Sequence, residues 1–332
     1  MNKTIYFRAD GDHGKNSGFG HLNRILKIYK FLRKILSKKY KFIFLIKKNL
    51  SAIKFLKKKY KDKIVIFSKE NLKKLSPKSS DIFIIDTLGV EKKLIEKIDK
   101  CKVLKKISFD EIDTTKFNSG IIINGIYFIK KKLIQKKNLK IFQGLDYTVL
   151  DEEFSKKKNI YSKNEKNILV TSGGADFKNF LYKIVKLLLN QNYKLNVLIG
   201  PGVKKNNIIN KISHKNVYKK RNVKNIFRCL QNTNVCICTG GTVMFESISS
   251  GKIPIVFENY SHQKYAIEFF SKKKAIINGG KFKNISKKKM LKLIRGHSLL
   301  RQKKIFVRNS NLVDGKGIYR VKKIILNYIN EK

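Results

Sequence analysis

The chain shows two kinds of apolar pattern in alternation. Short runs of consecutive β-branched or aromatic residues recur along it: TIYF, FIFLI, IVIF, IFIID, KVLKKISF and IIIN up to residue 124, then NILVT, NVLI, VCIC, IPIVF and AII between residues 167 and 277. Runs apolar on successive positions fit strands buried on both faces. Between them the period changes. Leu22, Ile25, Leu26, Tyr29, Leu32, Ile35 and Leu36 form a stripe at helical spacing, which predicts a crossover helix that begins near Gly20 and packs on a core. Strands alternating with such helices predict an α/β fold on parallel sheets.

At 332 residues, the chain exceeds one hydrophobic core, so two domains are expected. Residues 151–166, DEEFSKKKNIYSKNEK, are charged and aperiodic directly before NILVT, and read as the linker. Residues 1–150 then form one Rossmann-like domain and 167–332 another, their parallel sheets facing a cleft, with room for the last helix to pack back on the first. Ligands of open parallel sheets bind beyond the carboxyl ends of the strands, so the loops there are where chemistry is sought.

Composition changes this picture little. Lys and Arg number 76 against 23 Asp and Glu, a formal charge of +53, and clustered cations of this kind bind phosphate backbones by releasing counterions. Here the lysines run as KK and KKK from residue 38 to residue 323, in helices and loops alike, so a basic solvated surface is expected and no specific nucleic-acid partner. The field still attracts an anionic nucleotide, and it is compatible with peripheral contact to an anionic membrane. Cys236 and Cys238 in VCIC read as small buried hydrophobes, since no CxxC pair or zinc-spaced Cys/His set is present. The start MNKTIYFRAD has no apolar signal core and no run approaches a membrane span, so a cytoplasmic location is expected. No metal, organic cofactor or oligomeric state is indicated.

Three glycine loops follow three of the strands. The first, RADGDHGKNSGFGHLNR, leads from TIYF into the predicted helix. Backbone amides at such a helix start, unobstructed at Gly18 and Gly20, hold an anion or oxyanion. Asn23 stands where the dinucleotide fingerprint needs its third glycine, so a nicotinamide cofactor is disfavoured. His21 at this strand end suits a general base near neutral pH, with a satisfied structural histidine as the alternative. The second loop, TSGGADFKN, places Gly173 and Gly174 where backbone can approach a ligand, and its Asp176 reads equally as a helix cap. In the third, VCICTGGTVMFESISSGKIPIVFENYSHQ, Gly240, Gly241 and Thr242 offer helix-start amides to a phosphate. Glu246 lies about one turn further in, placed to accept from a ribose diol. His262 and Gln263 open the helix after the next strand.

That third loop resembles the nucleotide-sugar site of GT-B glycosyltransferases, especially the enzyme that makes lipid II, in which a GGxxxxE helix start and a following Gln hold UDP. By position, Gly240, Gly241, Thr242 and Glu246 would take the diphosphate and ribose, with His262 and Gln263 nearby. Nearly end to end, the chain is similar to the UDP-sugar hydrolases of pseudaminic acid synthesis (UDP-2,4-diacetamido-2,4,6-trideoxy-β-L-altropyranose hydrolases) and the spore-coat polysaccharide proteins related to them. The similarity is carried by FRAD at 7–10, GFGHLNR at 18–24, IIDTLG at 84–89, SFDE at 108–111, IIIN at 121–124, GLDYTVLDEEF at 144–154, SGGAD at 172–176 and LVDGKGIYRV at 312–321.

The resemblance implies hydrolysis of the bond between the anomeric carbon and the UDP oxygen. In it His21 would activate or position water, Asp10 and Asp86 would orient sugar hydroxyls or the histidine, and Arg8, Gly18, Gly20, Arg24 and Asn124 would line the sugar side. The alternative it leaves open is a GT-B transferase that passes the sugar to an acceptor. Three departures bear on the identity of the sugar: Thr87 and Leu88 replace the usual His and Tyr of DHYG, Asp151 replaces an Arg, and DGDHGKN lengthens the first loop.

Overall fold

The computed structural model describes residues 3–331 except 12–18, 88, 104, 111–112, 127–132, 135, 157–165, 177, 222, 224, 234 and 297–306. Gly18, Leu88, nearly all of the first-loop insertion and most of the 151–166 segment therefore lie outside the described residues. The chain divides into two compact units, one of Met1–Val149 with Gly317–Lys332, the other of Leu150–Lys316.

The first unit is built on β1 (Lys3–Ala9), β2 (Tyr40–Lys47), β3 (Lys63–Phe67), β4 (Ile82–Asp86), β5 (Lys105–Phe109), β6 (Gly120–Asn124) and β7 (Leu139–Gln143). They lie in the order β3-β2-β1-β4-β5-β6-β7, every neighbouring pair parallel. Helices α1 (Gly20–Leu36), α2 (Leu50–Lys59), α3 (Lys69–Lys74) and α4 (Lys92–Lys100) connect the first five strands. From β1 the chain builds outward through β2 to β3, then returns to β4 on the other flank of β1. Strand order thus reverses between β1 and β4, where the register sets Ala9 opposite Asp86.

The α1 stripe packs as its spacing requires, Leu22, Ile25, Leu26, Tyr29 and Leu32 joining Phe7, Phe42 and Phe44 in the core. Ile35 departs from expectation and is exposed, because it lies in the last turn, beyond the edge of the sheet-facing stripe. The C-terminal helix, Gly317–Asn330, buries Ile318, Val321, Ile325 and Ile329 in this same core. Lys105 Nζ donates to the carbonyls of Ile329 and Glu331 at the helix end.

The second unit repeats the plan with β8 (Asn167–Thr171), β9 (Lys194–Ile199), β10 (Val217–Arg221), β11 (Val235–Thr239), β12 (Ile255–Glu258) and β13 (Ile277–Lys281). Their order is β10-β9-β8-β11-β12-β13, again parallel throughout, with the reversal between β8 and β11. Its helices are α5 (Phe180–Leu188), α6 (Ile226–Gln231), α7 (Thr242–Ser249), α8 (Lys264–Lys272) and α9 (Lys287–Arg295). Two parallel α/β sheets with flanking helices are what the alternating pattern predicts. No described helix is long and apolar enough to cross a membrane.

Candidate active site

In the first unit Arg8, Asp10, Gly20, His21, Arg24 and Asp86 lie on or just after β1 and β4 or in the first turns of α1, at the reversal where open parallel sheets carry their ligands. Asp86 is the last residue of β4 and is fully buried, while His21 lies in the first turn of α1. His21 Nδ1 is 2.6 Å from Asp86 Oδ1. Burial pushes the Asp86 carboxyl up, but the Arg24 guanidinium and His21 outweigh it and hold the group below the usual carboxylate range. An ionised carboxylate can only accept, so the Nδ1 facing it carries the hydrogen, and in the neutral ring the lone pair then lies on Nε2.

Arg24 differs from the sugar-lining role expected of it. It lies inside the protein, where Nε and Nη2 donate to Asp86 at 2.6 and 2.7 Å and Nη1 donates to Asp110. Its guanidinium stands 5.3 Å over the Phe109 ring. With every terminal nitrogen turned toward a carboxylate, it holds the protein's own acidic groups. Arg8 departs in the same way. It is fully buried, stacked 4.2 Å over Phe67, and donates to Asp10 through both terminal nitrogens and to Glu91 at 2.8 Å. Lys47 closes this second cluster, 3.0 Å from Glu91.

Asp10 therefore sits in an ion-paired set of its own, not on the His21 ring. Burial raises its carboxyl, yet Arg8 and then Lys47 hold it below the ordinary range, so it remains an anion and cannot donate a proton. Asn124 ends β6 as a buried side chain, and Gly20 opens α1 with its residue exposed. Three charged members of these clusters, Asp110, Glu91 and Lys47, were not among the expected site residues. Asp110 had one local signal, an Asp directly after a strand, and it adopts a positive φ of 49°.

The second unit carries its glycine loops at the β8/β11 reversal. Gly173, just after β8, has φ 82° and open space where a side chain would stand. Gly174 is packed against Gly200, where a Cβ would fall 2.6 Å from the Gly174 carbonyl carbon. Asp176 proves to be a cap: its two carboxylate oxygens accept from the Phe180 and Leu181 amides at 2.7 and 3.1 Å. Gly241 and Thr242 form the start of α7, and Glu246 lies buried on that helix. Gln263 has a local duty that the sequence did not reveal. Its Oε1 accepts from the Asn259 and Tyr260 amides at 3.0 and 3.2 Å, which fixes the turn between β12 and α8. The His262 ring stacks on Tyr260 with centroids 5.6 Å apart, and Lys178 lies 4.9 Å over the same Tyr260 ring. Among the described residues no three His, Cys, Asp or Glu side chains gather as a metal set.

No family model matches the chain. It is 27% identical over 341 aligned positions to "Uncharacterized protein MJ1062" of Methanocaldococcus jannaschii, covering 97% of this chain but only 66% of that protein's length. To the spore coat polysaccharide biosynthesis protein SpsG of Bacillus subtilis it is 25% identical over 268 positions, 76% of this chain and 78% of that protein. Among solved structures, MurG of Acinetobacter baumannii superposes with a TM-score of 0.60 at 11% identity, covering 98% of this chain and 100% of its own. CalG4, the calicheamicin glycosyltransferase, also gives 0.60, at 9% identity over 99% of this chain and 98% of that one.

The chain has the GT-B fold. A third structure of this kind, Arabidopsis thaliana UGT89C1 complexed with UDP-L-rhamnose, gives a TM-score of 0.60 at 10% identity, covering 99% of this chain and 100% of that one.

Proposed function

We propose that this protein hydrolyses a UDP-linked amino sugar, releasing UDP and the free sugar in the synthesis of a surface polysaccharide or nonulosonic acid. The observation that carries the reading is the His21–Asp86 pair at the β1/β4 reversal: an imidazole whose Nδ1 lies 2.6 Å from a buried carboxylate, so that in the neutral ring Nε2 is the acceptor. Such a pair abstracts a proton from water, and a base of this kind contributes roughly a hundred- to ten-thousand-fold in rate. Support for the substrate class comes from the UDP-L-rhamnose bound by the similar UGT89C1 structure. The polysaccharide biosynthesis named for SpsG supports the pathway class.

In this mechanism water attacks the anomeric carbon as His21 Nε2 takes its proton. The bond from that carbon to the UDP oxygen breaks, and UDP departs with the electron pair. The diphosphate would lie against the loop at Gly173 and Gly174 after β8 and the α7 start at Gly241 and Thr242, with the Gly174 and Thr242 amides as donors, since those of Gly173 and Gly241 donate to Thr171 Oγ1 and the Thr239 carbonyl. Glu246 would accept from the ribose. Asp86 stabilises the imidazolium formed. UDP leaves as a stable anion, so no acid is required of Asp10.

The second reading, transfer of the sugar to an acceptor, is favoured by the glycosyltransferases among the structural neighbours. Incubation of the chain with a panel of UDP-sugars, with UDP release and sugar stereochemistry followed by NMR, separates the two. Release at an enzymatic rate from a UDP-sugar alone, abolished in His21→Ala, is the expected result. Turnover only after an acceptor is added would replace hydrolysis by transfer.

A further inference from the structure

Arg24 is the point at which two buried carboxylates meet. It clamps Asp86 through Nε and Nη2 at 2.6 and 2.7 Å, and its remaining terminal nitrogen donates to Asp110 Oδ2. The other oxygen of Asp110 accepts from the Ile126 amide at 3.1 Å. Asp86, Arg24 and Asp110 are 0%, 6% and 2% exposed, so water competes little for any of these contacts. Asp110 holds its carboxylate there from a backbone at φ 49°, a left-handed conformation that costs an Asp more than a Gly. His21 and Arg24 are three residues apart and share one face of α1, which lets an imidazole and a guanidinium reach the same carboxylate.

We infer that Arg24 and Asp110 are positioning residues for the His21 base, Arg24 fixing the orientation of Asp86 and Asp110 holding Arg24 in place. The inference rests on the reading of His21 as the base. Asp86 is the carboxylate that meets the ring, and the run of contacts behind it draws on three elements: Asp86 from β4, Arg24 from α1 and Asp110 from the end of β5.

The test is the state of the His21 ring nitrogens in the full chain, read by NMR of 15N-histidine-labelled protein, the signals assigned by their loss in His21→Ala. Asp110→Asn and Asp110→Gly both suit a left-handed backbone, and both remove the carboxylate that holds Arg24. Each is expected to loosen the Asp86 contact, so that the neutral ring no longer keeps its hydrogen on Nδ1 alone, and to lower kcat at unchanged KM. Arg24→Lys, which cannot grip both oxygens of Asp86, is expected to do the same. An unchanged nitrogen pattern in the folded Asp110 variants overturns the inference. If the pattern changes but the wild-type chain releases UDP from no UDP-sugar, the positioning role stands and the hydrolase reading falls. If the wild-type chain turns over and the pattern does not change, the hydrolase reading stands and the positioning role falls.

Discussion

Gly240 and Gly241 are chain neighbours with opposite surroundings: a Cβ on Gly240 would lie 2.9 Å from Ile267 Cδ1 and 3.0 Å from Gln263 Cβ, whereas one on Gly241 would meet nothing within 4 Å. The first glycine lets α8 pack against the end of β11. The second leaves the start of α7 open, with a backbone (φ −100°, ψ −160°) that any residue can adopt. Gly240→Ala should therefore cost about 1–3 kcal/mol by overpacking, seen as a lowered thermal midpoint. Gly241→Ala should fold normally and weaken UDP binding about tenfold, near 1.4 kcal/mol, by calorimetric titration. Equal loss of stability in both variants would refute the distinction.

Asp86→Asn tests the tautomer. Arg24 donates to both Asp86 oxygens, and His21 Nδ1 meets Oδ1, so an asparagine sets its NH2 against one Arg24 nitrogen whichever way it turns. With the NH2 at the Oδ1 position it also faces His21 Nδ1, and the hydrogen of the neutral ring then moves to Nε2, leaving no lone pair there for water. Turnover should drop on the order of 10²–10⁴-fold with KM for the UDP-sugar little changed. A rate within a few-fold of wild type would mean that Asp86 does not set the tautomer.

Mild acid should act on the carboxylates in opposite senses. Asp176 is pushed up to about 6 by burial, against the two amides it accepts from. The stability it contributes is complete below its unfolded value near 4 and is lost as pH rises through about 6. Asp10, Asp86 and Glu91 are held low despite burial, by Arg8 for Asp10 and Glu91 and by Arg24 for Asp86. Their contribution is present above about 4 and disappears only as pH falls through their depressed values. Asp176→Asn should thus flatten the pH dependence of stability between about 4 and 6, a difference of up to about 3 kcal/mol. Urea unfolding followed by circular dichroism at both ends of that window reads it. An unchanged slope would count against a raised Asp176.

Much of the fold was legible because both sheets are parallel and covered on two faces, so most strands are continuous apolar words. Two of the edge strands were not. Leu139–Gln143 reads LKIFQ and Val217–Arg221 reads VYKKR, and the latter is mostly exposed with a ladder partner on one side only, which leaves no long apolar run to find. His21 stood out at a glycine-flanked strand end, while Asp86 entered only through the resemblance. The duties of Arg24 and Asp110 were hidden, since their ion pair spans 86 positions and no local spacing reports it. The LVDGKGIYRV motif shows the same limit. A Cβ on Gly315 would fall 2.2 Å from the Phe154 carbonyl oxygen, and one on Gly317 the same distance from that of Thr148, so these glycines exist for backbone contacts with a segment far away in sequence.

The C-terminal helix yields the last prediction. Its partners lie in a unit whose strands are complete by Gln143, and it buries Ile318, Val321, Ile325 and Ile329 in that unit's core. Burial of an aliphatic side chain stabilises by about 1.5–3 kcal/mol, so the four together approach the whole stability of an ordinary domain, about 5–15 kcal/mol. Ending the chain after Lys316 should therefore leave the first unit unfolded or aggregated while the second keeps its own core. Lys105→Ala, which removes only the cap on the Ile329 and Glu331 carbonyls, should cost about 1 kcal/mol. Hydrogen exchange resolved by peptide distinguishes the cases: truncation should strip protection from β1, β4 and β5 and spare β8 and β11. Retained protection in β1 after truncation would show that the helix is an accessory to that core, not a part of it.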